Sequence, residues 1–559
     1  MKNPPSRNTH PQETATPPSP RRSLLGQKIL AVGLLVLLTV WVYRDVIDFD
    51  YVRFDDTQYI WDNDPIKKLD WNLVRWAFGE FYAANWHPLT WISHALDWHL
   101  FGFDPAGAHL VNAALHMLNA VLVFCLFFNI LAHARPDDPP PVWASLAAAV
   151  AFAVHPLRAE SVAWISERKD VLFSFFYLLG LNAYWAFAVP RESAARPAVF
   201  FRSPAWWTSF VCFVLSMLSK PMAVSFPVVL LITDYFLGRR DWKHMLREKA
   251  PHLAAAAAVA VLTLLAQGKA IEIASAHLSF SYRVLNAFVS LGFYLERTLI
   301  PYDLCPVYMF QERPGDLDVL EIVSGLATGL LLTLAFIIGK RALRASILFY
   351  LVTLLPVLGL IKVGAHVAAD RYTYIPTLVV FLWMSYGIVC LAGRIRTWEP
   401  PEERRFGQIL LVVGVLIVIA WLVVLARPQI GIWRNTYTLW EHQVRIIPKA
   451  AFFDVLGDNY YHDKRYQDAI MHYLKAIEVG SRRKAEIHVK IALCYIELRR
   501  GQDAMAHLCQ ALEADPNCAD AYIQRNFFFQ AAGQTDLARQ DYDKAVRLKP
   551  SLIKNYSRP

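Results

Sequence analysis

The sequence predicts an all-α protein in two parts: a helical membrane domain with many spans, followed by a soluble α-solenoid. Of the 559 residues, 55% are hydrophobic and 18% are charged, which is unusual for a soluble protein of this size. Apolar runs close to the span length of about 20 residues recur between Leu24 and Ala426. From Ala450 onward the composition becomes mixed and repeats every 34 to 35 residues.

Charge and cysteine content exclude several classes of function. The net charge of +9 is what a membrane protein with basic cytoplasmic loops carries, so we predict no nucleic-acid partner. The seven cysteines include no CxxC pair, which argues against both a zinc site and a disulfide framework. No Walker, GxSxG or Rossmann fingerprint occurs, which disfavours nucleotide-driven and hydrolase activities.

Residues 1–23 are rich in Pro, Ser and Thr and are predicted to be a disordered cytoplasmic tail. Basic residues then precede the first apolar stretch, as they would in a signal peptide. No small-residue cleavage site follows, because the flanking sequence is Trp41-Val42-Tyr43-Arg44. We therefore expect a retained first span.

Eleven apolar segments are predicted to cross the membrane within a domain covering residues 24–430. They lie near residues 24–43, 110–132, 142–157, 171–189, 205–219, 221–237, 252–267, 319–338, 345–361, 374–393 and 408–427. With the N-terminus inside, the basic clusters fall on the cytoplasmic side each time, as the positive-inside rule expects. This topology places the large first loop, residues 44–109, and everything after residue 427 outside the cytoplasm.

Residues 283–300 are apolar enough to span but carry Glu296 and Arg297 near one end. Counting this segment as a span would put the basic cluster at Lys340 outside the cytoplasm. We therefore predict a re-entrant or interfacial helix. A true span, compensated by an error elsewhere in the count, is the alternative.

Three repeat units occupy residues 450–553. They begin at Ala450, Ala485 and Ala519, and small residues recur at equivalent positions in each unit. The equivalent small residues are Ala469, Ala504 and Ala538, and then Ala476, Ala511 and Ala545. The units resemble tetratricopeptide repeats, paired helices whose small residues allow close packing. Such an array offers a concave surface for a peptide or protein partner, and a module that only braces the membrane domain is the alternative.

Five polar stretches face outside in this topology and occur in a distinctive order. They are FDDTQYI at 54–60, the stretch at 85–112 that opens with NWHPLTW, HPLRAESVAWISERKD at 155–170, SKP at 219–221 and ADRYTYIP at 369–376. Together with the trailing repeats, they resemble the transmembrane and tetratricopeptide-repeat O-mannosyltransferases and their bacterial relatives. That family belongs to the GT-C class of glycosyltransferases. The resemblance covers residues 24–550, and HPLRAESVAWISERKD and NWHPLTW are its specific part.

The resemblance implies a multi-span hexosyltransferase that uses a polyprenyl-phosphate-linked sugar on the non-cytoplasmic face. Eukaryotic members transfer mannose to protein hydroxyls, so we expect a protein or peptide acceptor that the repeats bind. A non-enzymatic membrane scaffold or assembly factor and a transporter of lipid-linked sugars are the alternatives. The chain ends in NYSRP without a retention signal, which favours a bacterial inner membrane over a eukaryotic reticulum.

Asp55 and Asp56 are the candidate catalytic residues. Transfer of a sugar to a hydroxyl needs a base that takes the proton from the attacking oxygen. The resemblance implies that this base is an aspartate just after the first span, and we favour Asp56, although adjacency leaves the choice open. Alternatively, both acids cap the next helix or pair with Arg53. We predict no metal centre, since no HExxH occurs, and leave a divalent ion open.

Arg371 and Lys220 are the candidate ligands of the lipid phosphate. An arginine presents a planar fork of donors that matches phosphate oxygens, whereas a lysine acts as a point charge. Both residues lie at external ends of predicted spans. Interfacial snorkelling, in which a long side chain reaches for lipid headgroups, is the alternative.

Four further residues are expected to line the substrate cavity. Glu167 and Asp170 suit sugar hydroxyls, although ion pairing within the crowded 155–170 stretch would explain them equally well. His87 and His155 each precede a proline, which restricts them to extended geometry and predicts rigid turns beside the cavity.

Overall fold

The computed structural model describes residues 20–189, 199–275, 279–308, 319–360 and 368–551, with only the backbone for 20–22 and 269–275. Within these ranges the chain is α-helical, with two isolated bridges, Tyr82–Asn85 and Tyr308–Ala368, in place of any sheet. The predicted all-α class is confirmed. Most of the tail predicted to be disordered, residues 1–19, lies outside the described residues.

The helices before the repeats are α1 Pro20–Tyr43, α2 Trp71–Gly79, α3 Pro88–Phe101, α4 Pro105–Ala134, α5 Val142–Ala153, α6 Ala159–Ala163, α7 Arg168–Ala188, α8 Pro204–Ser219, α9 Phe226–Phe236, α10 Trp242–Ser275, α11 Phe280–Leu299, α12 Val319–Ile338, α13 Arg341–Leu354, α14 Leu378–Arg396, α15 Pro401–Gly431 and α16 Thr436–Ile446. Those of the repeats are α17 Ala450–His462, α18 Tyr466–Glu478, α19 Lys484–Glu497, α20 Gly501–Ala514, α21 Ala519–Ala531 and α22 Thr535–Leu548.

Seven of the described helices are long and apolar enough to cross a membrane. The bent pair formed by α5 and the segment Pro156–Ala163, which meet at 57°, would make an eighth span. The chain is therefore a multi-pass membrane protein. Each of the eleven predicted spans overlaps a helix, but α8, α9 and α13 are short, so the number of crossings stays a prediction. The segment 283–300 forms α11, which packs against α12, and its interfacial placement also stays a prediction.

Local signals fix where several helices begin. The Asp104 side chain accepts a hydrogen bond from the Ala106 N–H, and Pro105 supplies the preset backbone angle of a first helical residue at the start of α4. Asn435 and Thr438 form a reciprocal capping box at the start of α16. These caps satisfy backbone donors that would otherwise lack a partner at the helix ends.

A stripe of polar side chains runs along the buried face of α4. His109, Asn112, His116 and Asn119 recur three or four residues apart, which places them on one face of the helix. Asn112 donates to the Trp164 carbonyl (3.0 Å) and Asn119 to the Val171 carbonyl (2.9 Å). The stripe therefore supplies one hydrogen bond to the first turns of α7 and one to the irregular segment that precedes this helix.

That neighbouring segment is residues 155–170, predicted to be a short loop between spans. It consists of two short 3₁₀ turns around α6, and every one of its residues is buried. Buried irregular backbone is tolerated where the surrounding protein provides partners for its N–H and C=O groups. The charges of HPLRAESVAWISERKD are thus held inside the protein rather than solvated at its surface.

The repeats form a solenoid of helix pairs, as predicted. In the first unit the Tyr473 ring lies so close to Gly457 that an added Cβ there would overlap the ring. Ala469 and Ala476 are fully buried between neighbouring helices. Small residues at these positions permit the close approach of the paired helices, which confirms the solenoid.

Candidate active site

The chain leaves α1 and folds into a tight turn that brings Asp56 against the buried segment 155–170. One carboxylate oxygen of Asp56 accepts from the Val52 N–H (2.9 Å), and the other from the Ser166 N–H (3.0 Å) and the Ser166 hydroxyl. The side chain is buried, and burial raises its pKa to about 6, although these hydrogen bonds oppose the shift. Asp56 thus joins the first loop to Ser166.

Asp55 has different surroundings. Its side chain is partly exposed, and no hydrogen bond or ion pair forms on its carboxylate within the described part of the chain. The carboxylate interacts electrostatically with the Lys169 ammonium and the Tyr59 phenol. Asp55 is therefore the more accessible acid of the pair.

Three cations converge on the Glu167 carboxylate, next to Ser166. Lys169 Nζ lies 3.0 Å and Arg371 Nε 3.3 Å from its Oε1, and Lys220 Nζ lies 3.6 Å from its Oε2. The three cationic side chains are only 8–9% exposed. Little solvent surrounds these charges, so water screens them poorly and each cation interacts strongly with an anion beside it.

Two more carboxylates hold these cations in place. Glu160 accepts hydrogen bonds from both the guanidinium and the backbone N–H of Arg371, the latter at 2.9 Å. Asp170 is ion-paired with Lys220 and accepts from the Ser161 hydroxyl (3.2 Å). The cluster therefore contains three cations and three carboxylates. Arg371 and Lys220 are buried within it, so their side chains do not reach out to lipid headgroups as the snorkelling alternative requires.

Aromatic rings form one wall of this cluster. Trp164 stacks on Phe54 at 4.8 Å on one side and on Trp433 at 5.0 Å on the other. The Arg371 guanidinium lies 5.6 Å from the Trp164 ring centre. Since Phe54 immediately precedes Asp55, the stack fixes the first loop beside the cations.

The two predicted His-Pro residues have different positions. His87 begins α3 beside the cluster, within electrostatic range of Lys169 and Lys220, and burial lowers its pKa to about 3. His155 faces away from the cluster, with Nε2 3.0 Å from the Thr298 carbonyl oxygen and Nδ1 accepting from the Leu157 N–H. The structure therefore places His87 beside the candidate site and His155 in a bracing contact with α11.

Two members of the cluster, Glu160 and Lys169, were not among the predicted site residues. Both occur in HPLRAESVAWISERKD, so the motif itself contained the signal. Their partners come from distant parts of the chain, and sequence spacing alone does not reveal which charges meet.

A further carboxyl, Asp370, accepts from the Tyr308 hydroxyl (2.8 Å), and burial raises its pKa well above the ordinary value.

Arg168 lies in the same stretch but belongs to a separate network. Its guanidinium donates to Asp97 (2.6 Å), to the Ser93 hydroxyl (2.7 Å) and to the Ala108 carbonyl (2.9 Å). Its Nε donates to Asn112. With its donors used in this way, Arg168 ties α3 to α4 and α7.

The C-terminal part of the chain contacts the loop that carries Asp55. Arg53 Nη2 lies 2.6 Å from Asp463 Oδ1, in the first repeat. The Arg53 N–H donates to the Thr436 hydroxyl (2.9 Å), and the Trp440 indole donates to the Arg53 carbonyl (3.4 Å). Arg53 therefore pairs with the repeats, and the alternative in which it neutralises the adjacent acids is wrong.

Parts of the chain are similar to known proteins. A family model described as tetratricopeptide repeat matches residues 485–518. The crystal structure of ArnT from Cupriavidus metallidurans bound to undecaprenyl phosphate is 14% identical and covers 88% of this chain and 80% of its own, with a TM-score of 0.35. At that TM-score the likeness is distant.

Curated relatives are named protein O-mannosyl-transferases. Human TMTC4 is 34% identical over 174 residues, which cover 28% of this chain and 23% of the human protein. Drosophila melanogaster Tmtc3 is 21% identical over 639 aligned positions, which cover 96% of this chain and 65% of the fly protein. The chain thus spans less than two thirds of either relative. The resemblance to the transmembrane and tetratricopeptide-repeat O-mannosyltransferases is confirmed, and the chain is a homologue of these proteins.

Proposed function

We propose that the protein is a membrane glycosyltransferase of the GT-C class, which moves a sugar from a polyprenyl-phosphate donor to a hydroxyl group of a protein. The observation that carries the proposal is the buried cluster of Lys169, Lys220 and Arg371 beside the loop of Asp55. A donor of this kind releases a lipid phosphate, and such a cluster suits that anion. The names of the relatives support mannose as the sugar and a protein as the acceptor.

In this proposal Asp55 is the general base. The acceptor oxygen bonds to the anomeric carbon of the sugar while its proton passes to Asp55. The bond between the anomeric carbon and the phosphate oxygen breaks, and its electron pair leaves with the polyprenyl phosphate. Asp55 is favoured over Asp56 because its carboxylate is accessible, whereas both oxygens of Asp56 already accept hydrogen bonds.

Lys220 and Arg371 are proposed to bind the leaving phosphate. Glu160, Glu167 and Asp170 keep these cations oriented before the donor arrives, so that little reorganisation is needed on binding. Glu167 and Asp170 would also present carboxylate oxygens to sugar hydroxyls. His87, neutral at physiological pH, is a further candidate for a hydrogen bond to the donor.

The repeats are proposed to hold the acceptor. Because Asp463 of the first repeat contacts Arg53, the repeats and Asp55 lie on the same side of the membrane. The basic residues that end α14 lie at the end of that helix far from Arg371, which favours the non-cytoplasmic face for the site. The membrane proposed for the protein is the bacterial inner membrane.

A reconstituted reaction tests the proposal. The full-length protein in liposomes would receive polyprenyl-phosphate-linked mannose and a peptide rich in Ser and Thr. We expect release of polyprenyl phosphate that depends on the peptide, together with a mass increase of one hexose on it. A nucleotide-linked mannose supplied instead should give neither product. A folded protein that transfers no sugar from a panel of lipid-phosphate-linked sugars would contradict the proposal and favour the scaffold alternative.

A further inference from the structure

An apolar cavity lies at the opposite end of the membrane domain from the candidate site. Its volume is about 510 Å³, within the size range of small-molecule pockets. The later turns of α4, α7 and α9, the first half of α13 and the first half of α14 form its walls. The lining side chains are almost entirely apolar, and they include Phe127, Trp185, Phe236, Phe349 and Trp383.

Positive charge marks one end of this cavity. Lys340, which precedes α13, is part of the cavity wall, and Arg341 follows it directly. Both side chains are exposed, and no carboxylate of the described residues pairs with either. The Arg341 guanidinium lies against Gly238, where an added Cβ would overlap its Nη1, so it is close to the turn that follows α9.

Other basic side chains nearby are already engaged. Arg135 pairs with Asp138 at 2.7 Å, and Arg344 donates to the carbonyls that end α12, at 2.8 and 2.7 Å. Lys340 and Arg341 thus differ from Arg135 and Arg344 in having no such partner among the described residues.

Buried polar contacts separate this cavity from the cation cluster of the candidate site. Tyr374 lies one turn before the deepest α14 residue of the cavity wall, and its hydroxyl contacts His116 (2.7 Å) and Asn119 (3.0 Å). Arg158 donates to Thr377 in the same layer (2.7 Å). A ligand whose phosphate contacts Lys340 therefore occupies a different site from a donor whose phosphate contacts Arg371.

We propose that this cavity binds an anionic phospholipid of the leaflet opposite the candidate site, with an acyl chain between the apolar walls and its phosphate on Lys340 and Arg341. Apolar walls alone would accept any lipid chain, whereas the two unpaired cations favour a headgroup with net negative charge. Basic pockets between transmembrane helices on the cytoplasmic side are suited to such headgroups. The inference does not depend on the glycosyltransferase activity.

Native mass spectrometry of the full-length protein in detergent tests it, with phosphatidylglycerol and phosphatidylcholine of identical chains as probes. We expect one tightly retained phosphatidylglycerol and no retained phosphatidylcholine. Lys340→Gln combined with Arg341→Gln should weaken phosphatidylglycerol binding by about thirtyfold. Arg394→Gln combined with Arg396→Gln removes two exposed charges that do not line the cavity, and it should change the affinity less than threefold.

A second variant and a competitor keep the test decisive. Ala342→Phe narrows the apolar wall and should also reduce retention, while leaving both cations in place. Polyprenyl phosphate should not displace the phospholipid. Equal retention of the two phospholipids, unchanged binding by the Lys340/Arg341 variant, or displacement by equimolar polyprenyl phosphate would overturn the proposal. The last outcome would assign the cavity to the donor instead.

Discussion

Asp55 and Asp56 are neighbours in the chain, but their carboxylates have different chemical environments. Asp56 is buried and accepts hydrogen bonds from Val52 and from Ser166, 110 residues away. Asp55 is partly exposed and faces Lys169. We therefore propose that Asp55 takes up the proton and that Asp56 positions the first loop.

The pH dependence of stability should report the burial of Asp56. Burial raises its pKa from the ordinary 3.8 to about 6, so between these pH values the folded protein holds a proton that the unfolded chain releases. Stability from this group is present at low pH and is lost as the pH rises through about 6. The difference between the two pKa values corresponds to about 3 kcal/mol in the free energy of unfolding.

Unfolding of wild type and Asp56→Asn in detergent between pH 4 and pH 7 measures this contribution. We expect the free energy of unfolding of wild type to fall relative to that of the variant as the pH rises. Parallel curves would show that Asp56 titrates normally. The variant should also be less stable at neutral pH, because the asparagine amide would face the Val52 N–H donor and leave it unpaired.

Arg371→Lys should impair donor binding while preserving the local charge. A lysine can still pair with Glu160 or Glu167, but it lacks the planar fork that engages two partners at once. Loss of one charge-assisted hydrogen bond costs about 1.5 kcal/mol, so the KM for the lipid donor should rise about tenfold. Arg135→Lys, at the other end of the bundle, should leave that KM unchanged. An unaltered KM for Arg371→Lys would remove Arg371 from the phosphate site.

At the scale of elements, the connection between the membrane helices and the repeats is a structural part of the site. Helix α16 binds the segment that follows α11, since the Gln443 side chain exchanges two hydrogen bonds with the Val307 backbone, at 2.9 and 3.1 Å. The following repeat holds Arg53 through Asp463. The first loop, α16 and the first repeat are therefore in direct contact with one another.

Asp463→Asn should consequently reduce sugar transfer, although Asp463 is far from Asp55 in the sequence. The ion pair with Arg53 is about one-third exposed and contributes about 0.2–1 kcal/mol to stability, so the melting temperature should change little. We expect a severalfold lower kcat, since Arg53 lies two residues from Asp55. Glu478→Gln, which breaks the exposed Lys475–Glu478 pair in the same repeat, should leave kcat unchanged. Equal effects of the two variants would argue against a role for the Arg53 contact.

Sequence periodicity predicts the elements well and their contacts poorly. The apolar runs and the small residues of the repeats mark the helices, because span length and helix packing depend on local composition. The burial of residues 155–170 could not be predicted, since their irregular backbone finds partners in distant parts of the chain, such as Asn112 of α4 for the Trp164 carbonyl. Likewise, the pairing of Arg53 with Asp463 joins residues 410 positions apart, and nothing in either local sequence indicates it.

At the scale of the whole molecule, the two ends of the membrane domain differ in chemistry. One end gathers the cations and carboxylates around Glu167 and carries the repeats. The other carries the unpaired basic residues near Lys340 and the apolar cavity. Such asymmetry is expected of a protein whose orientation is set by basic residues on the cytoplasmic side.

Reporter fusions should reveal this orientation. A fusion after residue 341 is expected to report the cytoplasm, and a fusion after residue 450 the opposite side. The physical reason is the excess of Lys and Arg around the fusion site at residue 341, since such residues are enriched in cytoplasmic loops. A cytoplasmic signal after residue 450 would place both the repeats and Asp55 inside the cell, against the proposed side of reaction.

Sugar transfer by Asp55→Asn and Asp56→Asn, compared in liposomes with wild type, tests the central claim most directly. Asparagine matches the size of aspartate but cannot take up the proton, so Asp55→Asn should lower kcat by a factor of about 10² or more while leaving the melting temperature unchanged. Asp56→Asn should instead lower the melting temperature and retain measurable transfer. An Asp55→Asn protein that transfers sugar at the wild-type rate would contradict the assignment of Asp55 as the base.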